Sequence, residues 1–333
     1  MHRVTGVGGC ATVVVLALLL VACSGDDQPR ADVDPSRSPA SSTPVSPSAS
    51  PSSEPASPTP PPPAFDRAAA VETVRLLSEE IGPREATSAG FTRAADLVAA
   101  TFEEQGYDVR RDPLRVPRGV SWGVPVPAGR TLNVVATPPG FRPGQPHVLV
   151  GAHLDTVPQA PGAEDNASGV GVVLELARLA AAEPPGLPVV FVAFGAEEPR
   201  GPGDDQHHFG SQHYVREMSG AQSRALVAMV SLDRVGTGSR VPVCTGGRSP
   251  LRVQRELLAD AAGLGIPTRR CTNRASDHWS FEKAGAVVAR IGSTPYAAYH
   301  SARDRIGVVR PAQLGRVGRV MWEWLRTGRG GSP

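Results

Sequence analysis

A chain of 333 residues with 40% hydrophobic content is long enough to bury one large core or two small ones. Its 34 Lys and Arg against 32 Asp and Glu leave a net charge of +2, with no basic block and no aromatic-basic interleaving, which excludes nucleic acid as a partner. The 34 prolines are about twice the usual frequency, and many of them crowd one stretch.

Residues 1–22 read as a signal peptide: Arg3 gives a positive start, and Ala11 to Ala22 is an apolar run too short to span a bilayer comfortably. Leu20-Val21-Ala22-Cys23 resembles a bacterial lipobox, so Cys23 is the expected lipidation site. The protein is then anchored to the outer face of the cytoplasmic membrane, or secreted if Cys23 is not lipidated. Residues 23–64 form a tether. From Pro35 to Pro63, 21 of 29 residues are Pro or Ser, a composition that cannot bury enough apolar surface to offset its ordering entropy. Residues 65–333 are the expected folded domain.

In that domain, apolar residues at Val71, Val74, Leu77 and Ile81 predict a helix over 66–81, with Glu79 and Glu80 on its solvated side. A second helix runs over 88–104, followed by strands at 107–116 and 131–136. The stretch His147 to Glu198 reads as strand, polar loop, buried helix and strand. After it come an irregular polar loop, a short helix over 210–218, strands at 226–232 and 241–244, a helix over 251–262, strands at 268–271 and 286–291, and a closing helix over 311–326. Alternating strand and helix predicts a single α/β domain with a largely parallel sheet, in which reactive groups collect at the carboxyl ends of strands. In an oxidising compartment Cys244 and Cys271, each near a strand end, are expected to form a disulfide.

The ionisable residues sit where the strands end. His153 and Asp155, two apart, suit a metal-binding imidazole and a carboxylate that orients it. Asp165 lies in the Gly/Asn/Ser-rich turn GAEDNASG, where a carboxylate can present one oxygen to each of two metal ions. Glu197 and Glu198 follow an apolar strand, an expensive place for charge without a cation nearby. Asp233 and His300 add two metal-compatible side chains. Any one of these has a bland use as a cap, a turn former or a core histidine, but a gathering at successive strand ends points to a site. Two His, three carboxylates and a spare Glu suit a two-zinc hydrolytic centre better than iron or copper. His207 and His208, in the loop after Glu198, read as a solvated loop feature.

The succession GAHLD, GAEDNASG, FGAEE, SLDRVG, SDHWSF and YHSARD resembles the family 28 zinc metallopeptidases, the bacterial double-zinc aminopeptidases, from about Phe65 to the closing helix. The resemblance implies a mixed, mostly parallel central sheet flanked by helices and two zinc ions per chain. It places His153, Asp165 and Asp233 on one ion and Asp165, Glu198 and His300 on the other. It also implies Glu197 as general base for a zinc-activated water, Asp155 as the residue orienting His153, and Tyr299 as donor to the oxyanion. The expected reaction is removal of the amino-terminal residue of a peptide substrate by a monomeric enzyme. Arg234 stands where relatives usually carry an apolar residue; it would favour a carboxylate in the substrate, turn outward, or pair with an acid of the enlarged 199–209 loop.

Other readings remain. A family 20 metallocarboxypeptidase or deacylase would need a lid between the fourth and fifth ligands, where only 66 residues separate Asp233 from His300. A glutaminyl-cyclase-like acyltransferase would use one zinc, although cyclases tend to carry Trp where Tyr299 stands. A tethered binding module without catalysis would be expected to have lost ligands.

Overall fold

The computed structural model describes residues 63–328. The expected signal peptide, Cys23 and the tether up to residue 62 lie outside the described residues.

The first helix, α1 (Arg67–Arg75), begins at Asp66, whose carboxylate accepts the amides of Ala68 and Ala69. Its end widens through Leu76–Ile81 before stopping at Gly82 (φ 79°), so the helix expected over 66–81 loses α-helical pitch in its last third. After α2 (Ala89–Glu104) come β1 (Asp108–Val116), a small hairpin of β2 (Gly119–Ser121) and β3 (Val124–Val126), and β4 (Gly129–Thr137). The central stretch supplies β5 (His147–His153), α3 (Ser168–Ala182) and β6 (Val189–Phe194). Then follow α4 (Phe209–Glu217), α5 (Gly220–Ala225), β7 (Leu226–Asp233), β8 (Val241–Thr245) and α6 (Arg252–Gly263). The remainder holds β9 (Thr268–Thr272), α7 (His278–Lys283), β10 (Val288–Gly292) and α8 (Pro311–Arg326). Among the described residues no helix is long and apolar enough to cross a membrane.

Eight strands form one mixed sheet in the order β1-β4-β6-β5-β7-β10-β8-β9. The four central strands, β6, β5, β7 and β10, are mutually parallel, and antiparallel pairings flank them on both sides. Alternate residues feed two cores. Val148, Val150, Phe191 and Val230 pack under α1, α2, α3 and α8, while Leu149, Val190, Phe194 and Met229 meet Tyr214 of α4 and Phe281 of α7. The fold is the α/β domain expected, a mostly parallel mixed sheet with helices on both faces.

Strand β5 places the site. Its neighbour on one side is β6, next in the chain, and on the other side β7, so the chain reverses direction across the sheet at β5. Crevices in open α/β sheets form at such a reversal, outside the carboxyl ends of the strands. At the start of α3, Gly169 packs against the carbonyl of Leu232 and the side chain of Asn166 so closely that a Cβ would overlap both. This close approach binds the Asp165 turn to the end of β7.

At the sheet's far edge Cys244 of β8 and Cys271 of β9 are register partners joined by a disulfide, with Cα atoms 4.4 Å apart.

Candidate metal centre

Three strand ends and two following loops converge above the sheet. His153 ends β5 and Asp233 ends β7. Glu197 and Glu198 stand beyond β6, after a turn at Ala196 (φ 54°), and His300 comes from the loop after β10 (φ 52°). Asp165 projects from the turn between β5 and α3, where its peptide bond to Asn166 is cis.

Asp165 is the hub. Its Oδ1 lies 3.1 Å from His153 Nε2 and its Oδ2 3.0 Å from His300 Nε2. The donor atoms of His153, Asp165 and Asp233 lie within 4.8 Å of one another, as do those of Asp165, Glu198 and His300. Both groups have the chemistry to hold a divalent ion, with one shared carboxylate. Glu198 Oε1, Asp233 Oδ1 and His300 Nε2 are buried and make no hydrogen bond, although His300 Nε2 is only 3.3 Å from Glu198 Oε1. Buried polar atoms are normally paired, so these orphans and the N/O donor set fit a metal such as zinc.

The members of the cluster depend strongly on one another for their protonation. Burial alone would lower both imidazoles, yet Glu197 and Asp165 raise His153 well above its usual range, and Glu198 and Asp165 push His300 up to about 10. Burial would raise Asp165, but the two histidines hold it far below the usual carboxylate range. Glu198 is raised by burial beyond what His300 can offset.

Much of the frame around these groups is hydrogen-bonded. Asp155 does not hold His153 chiefly through its side chain. The backbone carbonyl of Asp155 faces His153 Nδ1 at 3.1 Å, and its carboxylate accepts the amides of Glu197 (2.9 Å) and Glu198 (3.1 Å). Its Oδ1 stays 3.8 Å from the imidazole. Asp155 thus fixes the two adjacent acids at least as much as it orients the histidine. The turn of Asp165 is clamped from three sides. Asp304 accepts the amides of Glu164 and Asp165, Glu164 accepts those of Gly236 and Thr237, and Asn166 bridges the carbonyl of Leu232 to the amides of Gly169 and Arg234. Burial pushes the Glu164 carboxyl up to about 8 despite these bonds. Below the turn, the fully buried Arg84 donates to the carbonyls of Leu154, Leu77, Gly82, Pro161 and Gly162, and burial lowers its guanidinium to about 10.

His208 corrects the sequence reading. It is buried, adopts φ 57°, and places Nε2 3.2 Å from Glu197 Oε1, while its amide donates to the Glu197 carbonyl. The loop is polar in sequence, but this histidine is folded inward onto a candidate base. Burial would raise Glu197; His153 and the His208 bond outweigh it and hold the carboxyl low. Asp277 is sealed in the same neighbourhood, raised by burial and by the Glu197 charge.

Arg234 neither turns outward nor reaches the 199–209 loop. Its Nε lies 3.4 Å from Asp233 Oδ1, it donates to Ser293 Oγ, and its guanidinium covers the Tyr299 ring at 4.4 Å. Tyr299 stacks on His300 at 3.6 Å between ring centres and keeps 37% of its surface exposed. Burial and the Asp165 charge raise its phenol, which therefore stays a proton donor.

Comparison with known proteins identifies relatives of the chain. The chain is 33% identical over 185 residues to aminopeptidase YwaD of Bacillus subtilis, covering 52% of the chain and 39% of that protein. It is 27% identical over 242 residues to leupeptin-inactivating enzyme 1 of Streptomyces exfoliatus, covering 71% and 51%. The chain therefore matches about half the length, or less, of these curated relatives. A zinc aminopeptidase structure from Bacillus subtilis shares the fold with TM-score 0.70 and 20% identity, over 80% of this chain and 95% of that one. A glutaminyl cyclase from Bacteroides thetaiotaomicron does so with TM-score 0.66 and 20% identity, over 79% and 98%. Residues 133–325, well over half of the sequence, match peptidase family M28, and the chain belongs to that family.

Proposed function

We propose that the protein is a zinc-dependent aminopeptidase that holds two ions, one at His153, Asp165 and Asp233 and one at Asp165, Glu198 and His300. The observation that carries this reading is the position of Asp165, with one oxygen facing each histidine at 3.1 and 3.0 Å. Zinc bound there would supply Lewis acidity for the scissile carbonyl and make water a stronger acid near neutral pH. The chain's own residues do the rest. Glu197, outside both donor groups, takes the proton of the attacking water and returns it to the leaving amine. His208 holds Glu197 Oε1, which leaves Oε2, 4.0 Å from His153 Nε2, as the working oxygen. Asp155 pins the backbone of Glu197 and Glu198, so that adjacent acids keep separate duties. Tyr299 donates to the negative charge developing on the carbonyl oxygen. Arg234, beside Asp233 and over Tyr299, would meet a substrate carboxylate.

Hydrolysis of aminoacyl p-nitroanilides by the zinc-loaded protein tests the reading, with loss on Glu197→Gln while zinc content is retained. Undiminished activity of that variant would show that the base is misassigned. A one-zinc cyclase is the second reading, favoured by the pairing of Asp233 with Arg290 (2.9 Å). One zinc per chain with turnover of amino-terminal glutaminyl substrates would select it.

Export and lipid anchoring at Cys23 belong to the same proposal and rest on the Leu20–Cys23 tetrapeptide. Cys23→Ala should move the protein from the membrane fraction to the medium; retention at the membrane would refute the anchor.

A further inference from the structure

The hairpin of β2 and β3 turns through two residues, Trp122 (φ 46°) and Gly123 (φ 84°). Two-residue turns with positive φ at both positions favour Asn-Gly or Asp-Gly, and a bulky side chain at the first position is strained. Tryptophan gives this turn nothing that Asn would not give better, so its reason lies outside the hairpin. The ring stands edge-on to His300 at 4.3 Å and to Tyr299 at 5.7 Å, at the rim of the candidate centre. It is 54% exposed, whereas Trp279, Trp322 and Trp324 are 4%, 8% and 1% exposed.

The hairpin is also fixed in place. Arg200, two residues beyond Glu198, accepts the amide of Val120 with its carbonyl and donates to the carbonyls of Pro117 (2.8 Å) and Pro127 (2.6 Å) on the two stems. Its guanidinium is paired with Glu85. A Cβ at Gly119 would overlap the Arg200 backbone, so the first strand lies directly on the loop that carries the acids. On the other side, Gln159 Nε2 lies 3.4 Å from the His300 carbonyl and 3.5 Å from that of Trp122.

From this we infer that Trp122 is a preorganised aromatic platform of the substrate site, which receives an aromatic side chain next to the scissile bond. A strained turn, a rigid clamp and an exposed indole against His300 are jointly accounted for by a ligand that covers the ring. Stacking on a ring already fixed costs little ordering entropy, and aromatic pairs gain beyond their buried area. The inference rests on the peptidase reading for the identity of the ligand, but not for the platform itself.

The test has two arms on the zinc-loaded protein. In the first, kcat/KM for phenylalanyl and alanyl p-nitroanilide is compared among wild type, Trp122→Ala and Trp122→Phe. The phenylalanyl-to-alanyl ratio should fall about tenfold in Trp122→Ala, mainly through KM, and recover in part in Trp122→Phe. In the second, tryptophan emission is titrated with L-phenylalanine and with L-alanine; phenylalanine should quench the exposed component in wild type and not in Trp122→Ala. A ratio unchanged in a Trp122→Ala protein of normal melting temperature and zinc content would overturn the platform. So would emission that does not respond to phenylalanine. Quenching without hydrolysis of any aminoacyl substrate would retain the platform and reject the peptidase reading.

Discussion

Arg290 Nη2 lies 2.9 Å from Asp233 Oδ2, and neither side chain reaches solvent to any extent. A second guanidinium, that of Arg234, faces the other Asp233 oxygen at 3.4 Å. One proposed ligand of the first metal group is therefore already balanced by positive charge, whereas among the described residues no arginine is paired with Glu198. Removing one partner of a buried pair leaves an uncompensated charge, at a cost of about 3–5 kcal/mol. Arg290→Met should lower the melting temperature of the metal-free protein strongly, and zinc should restore more stability than it adds to wild type, because ion binding then relieves the stranded carboxylate. Thermal unfolding with and without chelator checks this; an unchanged metal-free melting temperature would contradict it.

The Glu197–His208 bond predicts a separation of kcat from KM. His208→Leu should reduce kcat by about tenfold or more with KM and zinc content unaltered, since a charge-assisted hydrogen bond that aims a base is worth roughly 1.5–3 kcal/mol. His208→Gln retains a donor and should recover part of the loss. Equal rates in all three proteins would leave His208 without a positioning role.

His278 sets an acid limit on stability. It is fully buried, and burial with the nearby Arg290 charge holds its imidazole down to about 3. Between the ordinary value of 6.5 and about 3 the unfolded chain binds a proton that the folded chain refuses. The stability present above pH 6.5 is therefore lost progressively as pH falls through this window. His278→Gln should flatten the slope by up to one proton, about 1.4 kcal/mol per pH unit. Urea unfolding of metal-free protein at pH 7.5 and 5 measures the difference; parallel losses in both proteins would exclude His278 as the source.

The Cys244–Cys271 disulfide closes 27 residues and ties down β9, an edge strand whose side chains are mostly exposed. The chain-entropy model puts the gain near 3.5 kcal/mol for a loop of this length. Cys244→Ser with Cys271→Ser should lower the melting temperature by several degrees while aminoacyl hydrolysis persists, because neither residue belongs to the centre. No change in melting temperature would refute the contribution.

Arg234→Ala should reduce kcat/KM for glutamyl substrates more than for leucyl ones, by about tenfold, as loss of one charge-assisted hydrogen bond of roughly 1.5 kcal/mol implies. A constant ratio would assign Arg234 to Asp233 and Tyr299 alone.

The legible parts of the fold are those with a period. Val148–Val150 and Val189–Phe194 are dense β-branched and aromatic runs, and α3 is apolar on nearly every side because it is covered on nearly every side. His153, Glu198 and Asp233 stand out because charge ends apolar runs, Asp165 because its turn is rich in Gly, Asn and Ser, and His300 through the YHSARD resemblance. The hairpin at 119–126 was not legible, since three-residue strands punctuated by Gly and Pro carry no period. Nor was the inward fold of His208, which the polar loop around it disguises. The clamps by Arg84, Asp304 and Glu164 also escaped, because they bind backbone groups distant in sequence and leave no local pattern.

The proposed ligands follow the chain in the order 153, 165, 198, 233, 300, and that spacing matters while the polypeptide is being made. The group containing Asp233 can be complete some seventy residues before its companion, which lacks His300 until the loop after β10 has emerged. A nascent chain that stops short of His300 therefore holds four of the five proposed ligands, and the second group closes only when the loop after β10 is in place.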